Sequence, residues 1–450
     1  MSPGSEMAEF HSLTGLLRRR RENQPDLEAI RHVDGRSMTY AQYADAAAAR
    51  ARALLELGVR PGDNVAAYLN DKFESAINWP GVSWSGAVEV PINPQLTGDP
   101  LIHGLNDSQA RFLVTTADGL PEIATVRDRL TALEAVILLD GQDVESVAGL
   151  PILPMPSPDE VGSEIDGLRD PELWDPSCII YTSGTTGPPK GVIVPWGLHA
   201  NNLTSPLILP LDRSGPRYAY TPQYHLSGKG SLYTAVGCGD LEVFRETFSL
   251  TNFWSDLRKH GCTYIQLFPQ PMTLLLRQPE DPSDLDNPVE VMISMPATPD
   301  VDEFKRRFGV KRVGTGYGMT EIGGGILQRS VESRNWNVAG TVPEGPPGIE
   351  VKLVDEHDHE VQRGEVGELL IRHREPWALN LGYYNRPEAT AEAWRNGWFH
   401  TGDAMRQDEE GYYYFVDRLK DYIRRKGENV SSFEVEKFVV AHPSVIECAA

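Results

Sequence analysis

Long apolar runs and cysteines are both scarce in this chain of 450 residues. A helix that crosses a membrane needs about 20 consecutive apolar residues, and the sequence has no run of that length, so no membrane span is predicted. The four cysteines lie far apart and lack the close spacing of metal ligands, which predicts free thiols in a reducing cytoplasm. They are Cys178, Cys238, Cys262 and Cys448.

Positive charge is also scarce. The chain carries 42 Lys and Arg against 64 Asp and Glu, which gives a formal net charge of −22 and a pI near 4.9. Surfaces that bind nucleic acid need clustered cations, so this balance argues against a nucleic-acid partner. The basic run from Arg18 to Arg21 is predicted to be the solvated face of a helix, with a partner-binding segment as the alternative. Residues 1–7 lack the apolar core of a signal peptide, and we interpret them as a leader.

The apolar residues that are present follow alternating strand and helix patterns, which are typical of parallel βαβ units. The length predicts about two to four folding units. Residues 149–176 are rich in Pro, Asp and Glu and are predicted to form a surface connection. Beyond Gly340, two-residue alternation predicts a small antiparallel β-unit. The predicted strands are 37–40, 63–69, 87–92, 110–114, 135–140, 217–222, 262–268, 350–354 and 366–371, and the predicted helices are 43–57, 250–260 and 271–277.

An anion-binding loop is predicted after the apolar run at residues 177–180, where the sequence continues as YTSGTTGPPKG from Tyr181 to Gly191. Glycines let backbone N–H groups turn inward, hydroxyls add donors, and Lys190 supplies a positive charge for phosphate. The segment is not the Gly-x-x-x-x-Gly-Lys-Ser/Thr phosphate loop, because Pro189 precedes the lysine. An ordinary Gly/Ser/Thr turn is the alternative.

Three further stretches combine polar side chains with glycine: residues 316–321 (GYGMTE), 398–403 (WFHTGD) and 417–421 (DRLKD). In the first, an aromatic ring can stack on a base and a carboxylate can hold Mg²⁺. In the second, an acid beside glycine suits hydrogen bonds to a ribose diol. Each also has an ordinary structural interpretation: Tyr317 as packed core, Glu321 as a solvated carboxylate, and Asp403 as a turn former or cap.

Taken together and in this order, the motifs resemble the adenylate-forming enzymes, which include acyl- and aryl-CoA synthetases, firefly-type luciferases and the adenylation domains of peptide synthetases. The resemblance covers the chain from about Leu13 to its end. The matching motifs are residues 182–191, 317–321, 367–369 with 382–384, 401–403, and 417–420 running into 426–430.

The resemblance implies an α/β fold: a large N-terminal domain of βαβ subdomains with a small β-barrel-like subdomain, followed by the start of a mobile C-terminal α+β domain. The AMP-binding domain is then expected at residues 8–419, divided into an α/β core at 8–335 and a β-rich part at 336–419. Residues 420–450 are expected to begin the C-terminal domain and to stop short of the lysine that assists adenylation in the family. We interpret this as a truncated form, with a natural half-enzyme as the alternative.

The resemblance also implies roles for single residues. The loop closes over the β- and γ-phosphates of ATP, Tyr317 stacks on adenine, Thr320 contacts the α-phosphate, and Glu321 holds Mg²⁺. Asp403 and Arg418 bind the ribose hydroxyls, and Lys420 lies at the hinge between the domains. His225 occupies the aromatic position between the carboxylate site and the thiol tunnel, with a core-facing ring as the alternative. The expected catalytic residues are His225, Thr320 and Glu321, and the expected nucleotide-binding residues are Thr182, Ser183, Gly184, Thr185, Thr186, Gly187, Lys190, Tyr317, Gly318, Met319, Asp403, Phe415, Arg418 and Lys420.

The implied activity is ATP- and Mg²⁺-dependent ligation of a carboxylic acid to CoA through an acyl-adenylate. Alternatives are a different acceptor, such as a carrier-protein thiol, ATP/nitrite-dependent diazotisation of an aryl amine, and a non-catalytic nucleotide-binding module. No aspartate stands near His225 where amino-acid-activating relatives bind an amino group, so a simple or aromatic acid is favoured. The segment from Ser294 to Thr298 replaces the family's Gly-Gly-Ala with a bulky Met and a rigid Pro, which predicts a reshaped pocket.

Overall fold

A computed structural model describes residues 12–140, 145–182, 188–203, 215–330, 338–340, 348–419, 423–425 and 428–430, and single residues at 435, 439, 442, 445 and 448. Its helices are α1 (Leu13–Asn23), α2 (Tyr40–Glu56), α3 (Lys72–Trp84), α4 (Gly98–Asp107), α5 (Leu120–Val126), α6 (Pro158–Val161), α7 (Trp196–Leu203), α8 (Leu226–Cys238), α9 (Phe253–His260), α10 (Pro269–Leu276), α11 (Asp300–Phe308) and α12 (Pro387–Ala393).

The strands form two large sheets, one small sheet and a two-stranded ribbon. They are β1 (Glu28–His32), β2 (Ser37–Thr39), β3 (Asn64–Tyr68), β4 (Val88–Pro91), β5 (Phe112–Thr115), β6 (Ala135–Leu138), β7 (Ser146–Val147), β8 (Leu150–Pro154), β9 (Pro176–Thr182), β10 (Lys190–Pro195), β11 (Arg217–Ala219), β12 (Glu242–Phe244), β13 (Tyr264–Gln266), β14 (Val291–Ile293), β15 (Arg312–Met319), β16 (Gly323–Ser330), β17 (Val338–Gly340), β18 (Ile349–Val354), β19 (Val366–His373), β20 (Phe399–Gln407), β21 (Tyr413–Arg418), β22 (Ile423–Arg425) and β23 (Glu428–Val430).

The two large sheets have the same construction. The first has the strand order β16-β15-β14-β13-β11-β12-β1-β2, and the second has the order β10-β9-β4-β3-β5-β6-β8-β7. In each sheet the inner strands are parallel, and the outermost strand at each of the two edges is antiparallel to its neighbour. Parallel strands are buried on both faces, which explains why every residue of β5 and β6 is buried. The predicted α/β class is confirmed.

Two of the edge hairpins matter for function because their tips hold predicted motifs. The hairpin β9–β10 pairs Lys190 with Thr182 across the base of the Gly/Thr loop. The hairpin β15–β16 pairs Met319 with Gly323, which leaves Thr320 and Glu321 in the turn between the strands. The tips thus belong to equivalent edges of two similar sheets.

Helices begin where the sequence supplies caps. The Thr39 side chain accepts a hydrogen bond from the Gln42 N–H, and the Gln42 side-chain oxygen accepts one from the Thr39 N–H, so α2 starts in a capping box. The Asp71 carboxylate accepts from the N–H groups of Phe73 and Glu74 at the start of α3. The alanine-rich face of α2 lies against α1 and α3, in a core that also contains the stacked rings of Trp79 and Trp196, 5.1 Å apart.

The small sheet is antiparallel, with the order β17-β21-β20-β19-β18. Its inner face packs Leu369, Ile371, Phe399 and Met405 into one cluster. The same cluster contains Leu327 of β16, so the small sheet is attached to the edge hairpin of the first large sheet. The two-residue alternation that predicted this unit follows from one buried and one solvated face. The domain boundaries given above stay a prediction.

Two interpretations of the sequence need correction. Residues 149–176 are not only a surface connection, because β8 within them pairs in parallel with β6 and extends the second sheet. The α1 helix forms, but its basic face is not simply solvated: Arg18 donates to Asp170 (2.8 Å) and Arg20 donates to the Val236 carbonyl (2.9 Å). These bonds hold α1 against the body of the protein.

The four cysteines are free, as predicted. In the part of the chain that the structure describes, every helix is too short or too polar to cross a membrane.

Candidate active site

Tyr317 and Asp403 come together although they lie 86 positions apart in the sequence. Tyr317 is near the end of β15, and its hydroxyl donates to Asp403 Oδ2 at 2.5 Å. Asp403 lies on β20 directly opposite Arg418 of β21, and Arg418 Nε is 3.7 Å from Asp403 Oδ1. Burial raises the pKa of the Tyr317 hydroxyl, and the neighbouring Asp403 carboxylate adds to this shift. Burial also raises the pKa of Asp403, while Tyr317 and Arg418 oppose the shift by stabilising the charged form.

Glu321 is buried in the β15–β16 turn and is held by a separate group of contacts. The Tyr383 hydroxyl donates to Glu321 Oε1 at 3.1 Å. The backbone N–H and side-chain amide of Asn380 both donate to the Glu321 carbonyl, at 2.9 and 2.8 Å. Burial raises the pKa of the Glu321 carboxyl above its usual 4.5, and the Tyr383 hydrogen bond opposes that shift. The interpretation of Glu321 as a solvated carboxylate is therefore wrong.

The Gly/Thr loop is described only at its two ends. Thr182 and Lys190 are paired, and the Thr182 hydroxyl lies 3.5 Å from the Lys190 carbonyl. His103 Nε2 is 2.8 Å from the Pro189 carbonyl and ties the loop's exit to α4. Lys190 Nζ lies 4.9 Å from the centre of the Tyr383 ring, which is a cation–π distance. Ser183, Gly184, Thr185, Thr186 and Gly187 lie outside the described residues, as does Lys420.

The remaining predicted nucleotide-binding residues lie on or directly after β15 and on β21. Gly318 is exposed and Thr320 is half-buried. Met319 and Phe415 are partly buried and pack against the cluster that joins the small sheet to β16. The Tyr317 hydroxyl also lies 3.7 Å from Met319 Sδ. The structure therefore brings Tyr317, Met319, Glu321, Asp403, Phe415, Arg418 and Lys190 into one region.

His225 lies at the start of α8. Its ring packs against Tyr224, with the ring centres 4.6 Å apart, and the surrounding protein lowers the pKa of the imidazole below 6.5. Among the described residues, no hydrogen bond or ion pair joins His225 to Tyr317, Glu321 or Asp403. His225 is exposed, so its interpretation as a core-facing ring is wrong.

A cavity of about 430 Å³ is lined in part by Gln223 and Tyr224, the two residues that precede His225. Its walls come from segments that follow the carboxyl ends of strands in both large sheets, the usual place for ligands in open α/β folds. Two lysines in the wall already have partners: Lys72 donates to the Arg245 carbonyl at 2.7 Å, and Lys229 pairs with Glu89. The aromatic part of the lining consists of Tyr220, Tyr224, Phe248 and Phe268.

Glu321 suits Mg²⁺ rather than a metal held by protein alone. Within the described ranges, no group of three or more His, Cys, Asp or Glu side chains could hold a metal ion. Mg²⁺ is commonly bound by one or two carboxylates together with the phosphates of a substrate. A single buried carboxylate near the predicted phosphate-binding loop fits that pattern.

Comparison with known proteins decides the family. The family described as AMP-binding enzyme matches residues 17–384. The chain belongs to the AMP-binding enzyme family. Among its relatives, the crotonobetaine/carnitine–CoA ligases of Salmonella heidelberg (strain SL476) and Salmonella typhimurium (strain LT2) are each 33% identical over 427 residues, which is 91% of this chain and 80% of theirs.

Solved structures of AMP-binding enzymes share the fold. The o-succinylbenzoate–CoA synthetase of Bacillus subtilis, in complex with ATP and magnesium, superposes with a TM-score of 0.80 at 26% identity, over 96% of this chain and 85% of that one. An anthranilate–CoA ligase in complex with anthranoyl-AMP gives a TM-score of 0.83 at 24% identity, over 98% and 84%. The predicted class, an AMP-forming ligase of the acyl- and aryl-CoA ligase type, is confirmed.

Two residues of the site were missed in the sequence. Tyr383 and Asn380 contact Glu321, yet 62 and 59 positions separate them from it. Residues 382–384 were recognised only as part of a motif. The only sequence signal was the pair Tyr383 and Tyr384 after Gly382. This pattern does not indicate that Tyr383 contacts the Glu321 carboxylate.

Proposed function

We propose that this AMP-binding enzyme activates a small carboxylic acid with ATP and transfers the acyl group to CoA. The observation that carries the proposal is the meeting of Tyr317, Asp403 and Arg418 on one side of the β15–β16 hairpin with Glu321 in its turn. A planar ring, a ribose-binding acid and a metal-binding acid are the groups that an adenylating site requires.

In this proposal, different residues of the chain bind the adenine, the ribose and the phosphates of ATP. The Tyr317 ring stacks on adenine, and Asp403 and Arg418 bind the ribose hydroxyls. Lys190 and the Gly/Thr loop bind the β- and γ-phosphates, and Thr320 contacts the α-phosphate. Preorganised N–H donors and cations stabilise the charge that develops during transfer, which is the main way proteins assist phosphoryl chemistry.

Glu321 would hold Mg²⁺. Bound to the phosphates, the metal withdraws charge from the oxygens of ATP and makes pyrophosphate a better leaving group. The Tyr383 hydroxyl donates a hydrogen bond to Glu321 Oε1, so it limits the orientations that the carboxylate can adopt.

The reaction that fits these groups has two steps. An oxygen of the acid attacks the α-phosphorus of ATP, the bond to pyrophosphate breaks, and an acyl-adenylate forms. The CoA thiolate then attacks the acyl carbonyl, and AMP leaves with the bonding electron pair. Neither step needs a nucleophile from the protein, and His225 is proposed to lie between the sites of the two steps.

The cavity lined by Gln223 and Tyr224 is the proposed site for the body of the acid. Its two lysines already have protein partners, and its wall includes the rings of Tyr220, Tyr224, Phe248 and Phe268. Such a wall favours an acid with an apolar or aromatic body. The relatives named above are CoA ligases of crotonobetaine or carnitine, of o-succinylbenzoate and of anthranilate, which supports a carboxylic acid as the substrate. The four free cysteines support a cytoplasmic location.

A substrate screen tests the proposal. AMP and thioester are measured with aliphatic acids, aryl acids, and aryl amines plus nitrite, each with and without CoA. We expect AMP with one group of acids and thioester only when CoA is present. Dependence on nitrite, or AMP without any thioester, would replace CoA ligation by one of the other activities known for adenylating enzymes.

A further inference from the structure

A short segment connects the two edge hairpins that hold the phosphate loop and Glu321. This segment, residues 380–384, lies between β19 and α12 and is here named the strap. The two hairpins belong to different sheets. Their relative position therefore depends on whatever joins them.

On one side the strap extends the second large sheet. Ile193 of β10 donates to the Gly382 carbonyl at 3.0 Å and accepts from the Leu381 N–H at 3.0 Å, and the Tyr384 N–H donates to the Gly191 carbonyl at 2.7 Å. Tyr383 forms an antiparallel bridge with Val192. The strap is thus fixed to the strand that begins at Lys190.

On the other side the strap is fixed to Glu321. The two Asn380 hydrogen bonds hold the Glu321 backbone, and the Tyr383 hydroxyl holds its carboxylate. Asn380 is itself immobilised, because its Oδ1 accepts from the Gly382 N–H (2.8 Å) and from Trp394 Nε1 (3.2 Å). A side chain with this many partners has little freedom to turn.

Tyr383 is the point where both attachments meet. Its backbone pairs with β10, its hydroxyl bonds to Glu321, and its ring lies under Lys190 Nζ. One rigid side chain therefore contacts a carboxylate and a cation that the proposed function assigns to the metal and to the phosphates. The neighbouring Tyr384 hydroxyl instead donates to Gln109 Oε1 at 3.3 Å, at an exposed position.

We propose that Tyr383 is a positioning residue: its hydroxyl orients the Glu321 carboxylate and its ring places Lys190, so that the metal-binding and phosphate-binding groups keep a fixed separation. This role rests on the proposed function, because it assumes that Glu321 holds Mg²⁺ and Lys190 binds phosphate.

The test compares Tyr383→Phe with Tyr384→Phe. Tyr383→Phe keeps the ring under Lys190 and removes only the hydroxyl. We expect the kcat of AMP formation to fall by about 10- to 100-fold, the range found when a group that orients a metal ligand is removed. Half-saturation by Mg²⁺ should move to higher concentration.

Tyr384→Phe is the matched control and should leave all of these quantities unchanged. Tyr383→Leu removes the ring as well and should also raise the KM for ATP. In a Glu321→Gln background, Tyr383→Phe should cause little further loss, because the charge that it orients is gone.

Binding measurements separate this proposal from the proposed function. Calorimetry with ATP alone and with ATP plus Mg²⁺ should show that Tyr383→Phe loses most of the Mg²⁺-dependent gain in affinity, whether or not any acid is converted. A wild-type protein that shows this gain but forms no AMP would contradict the proposed function and leave the role of Tyr383 standing.

Equal Mg²⁺ dependence in the wild type and Tyr383→Phe, or equal losses in Tyr383→Phe and Tyr384→Phe, would overturn the positioning role. So would a Tyr383→Phe protein that does not fold, because the hydroxyl would then be needed for structure alone.

Discussion

Glu321 is the residue on which the proposed chemistry depends most, because it is the proposed ligand of Mg²⁺. It is buried, its carboxylate accepts a hydrogen bond from Tyr383, and burial raises its pKa above 4.5. A metal-binding carboxylate must be ionised. Activity should therefore fall as the pH decreases through the raised pKa, at a higher pH than for an exposed glutamate.

Glu321→Gln removes the charge but keeps an oxygen that can accept the Tyr383 hydrogen bond. We expect AMP formation to fall by about 100-fold or more, the size found when a group that stabilises transition-state charge is lost. The acidic limb of the remaining activity should disappear, and thermal unfolding should change little. A variant with more than a tenth of the normal rate would show that Glu321 does not hold the metal.

Asp403 is the second residue whose environment decides its role. Its pKa is raised by burial and it lies between Tyr317 and Arg418. Asp403→Asn keeps the size of the side chain but would remove the proposed charge-assisted hydrogen bond to a ribose hydroxyl. We expect the KM for ATP to rise by about 10- to 150-fold, since hydrogen bonds to charged groups contribute about 1.5–3 kcal/mol. An unchanged KM for ATP would remove Asp403 from the nucleotide site.

At the scale of single elements, α8 illustrates how one glycine can be required and its neighbour not. A Cβ at Gly228 would overlap the backbone carbonyl of Pro222, whereas a Cβ at Gly230 has no neighbour within 4 Å. Gly228→Ala should therefore lower the free energy of unfolding by about 1–3 kcal/mol and disturb His225 at the start of the helix. Gly230→Ala should be neutral or stabilise by up to about 1 kcal/mol, because alanine is the better helix former.

Denaturant titration of the two variants measures the difference. Equal stabilities would show that the start of α8 can move away from Pro222 at little cost, and the close packing described here would not constrain His225.

Elements were predictable where the local pattern determines the structure. The mainly apolar, buried strands β5 and β6, the capped helix α2 and the alternating strand β18 all form within a few residues of the predicted bounds. Strand β8 was missed because its segment contains Pro151 and Pro154, and its pairing with β6 is a tertiary contact. The docking of α1 through Arg18 and Arg20 was missed for the same reason: the acceptors lie about 150 and 216 positions away.

The candidate site was predictable in its composition and only partly in its geometry. Tyr317, Glu321, Asp403 and Arg418 were identified from their motifs, and the structure brings them together. The Tyr317–Asp403 hydrogen bond and the contacts of the strap with Glu321 were not predictable, because they join different sheets across long stretches of sequence. Sequence motifs indicate which side chains a site contains, but the contacts that orient those side chains depend on the fold.

At the scale of the whole molecule, a buried ion pair joins the two large sheets. Glu89 lies on β4 of the second sheet, and Lys229 lies on α8, which follows β11 of the first. Their side chains are 2% and 1% exposed. Asn78 also donates to Glu89 (2.9 Å), and Lys229 Nζ lies 4.3 Å from the centre of the Trp79 ring.

Lys229→Met should lower the free energy of unfolding by about 3–5 kcal/mol, because it leaves the Glu89 carboxylate buried without a counter-charge. The double variant Lys229→Met with Glu89→Gln should recover much of that loss, since no buried charge remains. Chemical denaturation of the wild type, both single variants and the double variant gives the coupling free energy. Additive effects would show that the two sheets do not depend on this pair.

The central claim is that the two edge hairpins, held together by the strap, form an adenylating site. Acid-dependent exchange of pyrophosphate into ATP tests this claim most directly, because exchange requires reversible formation of an acyl-adenylate and does not require CoA. We predict exchange with at least one apolar or aromatic carboxylic acid, dependent on Mg²⁺ and lost in Glu321→Gln. A protein that binds ATP but exchanges no pyrophosphate with any such acid would contradict the account and would identify a nucleotide-binding module without catalysis.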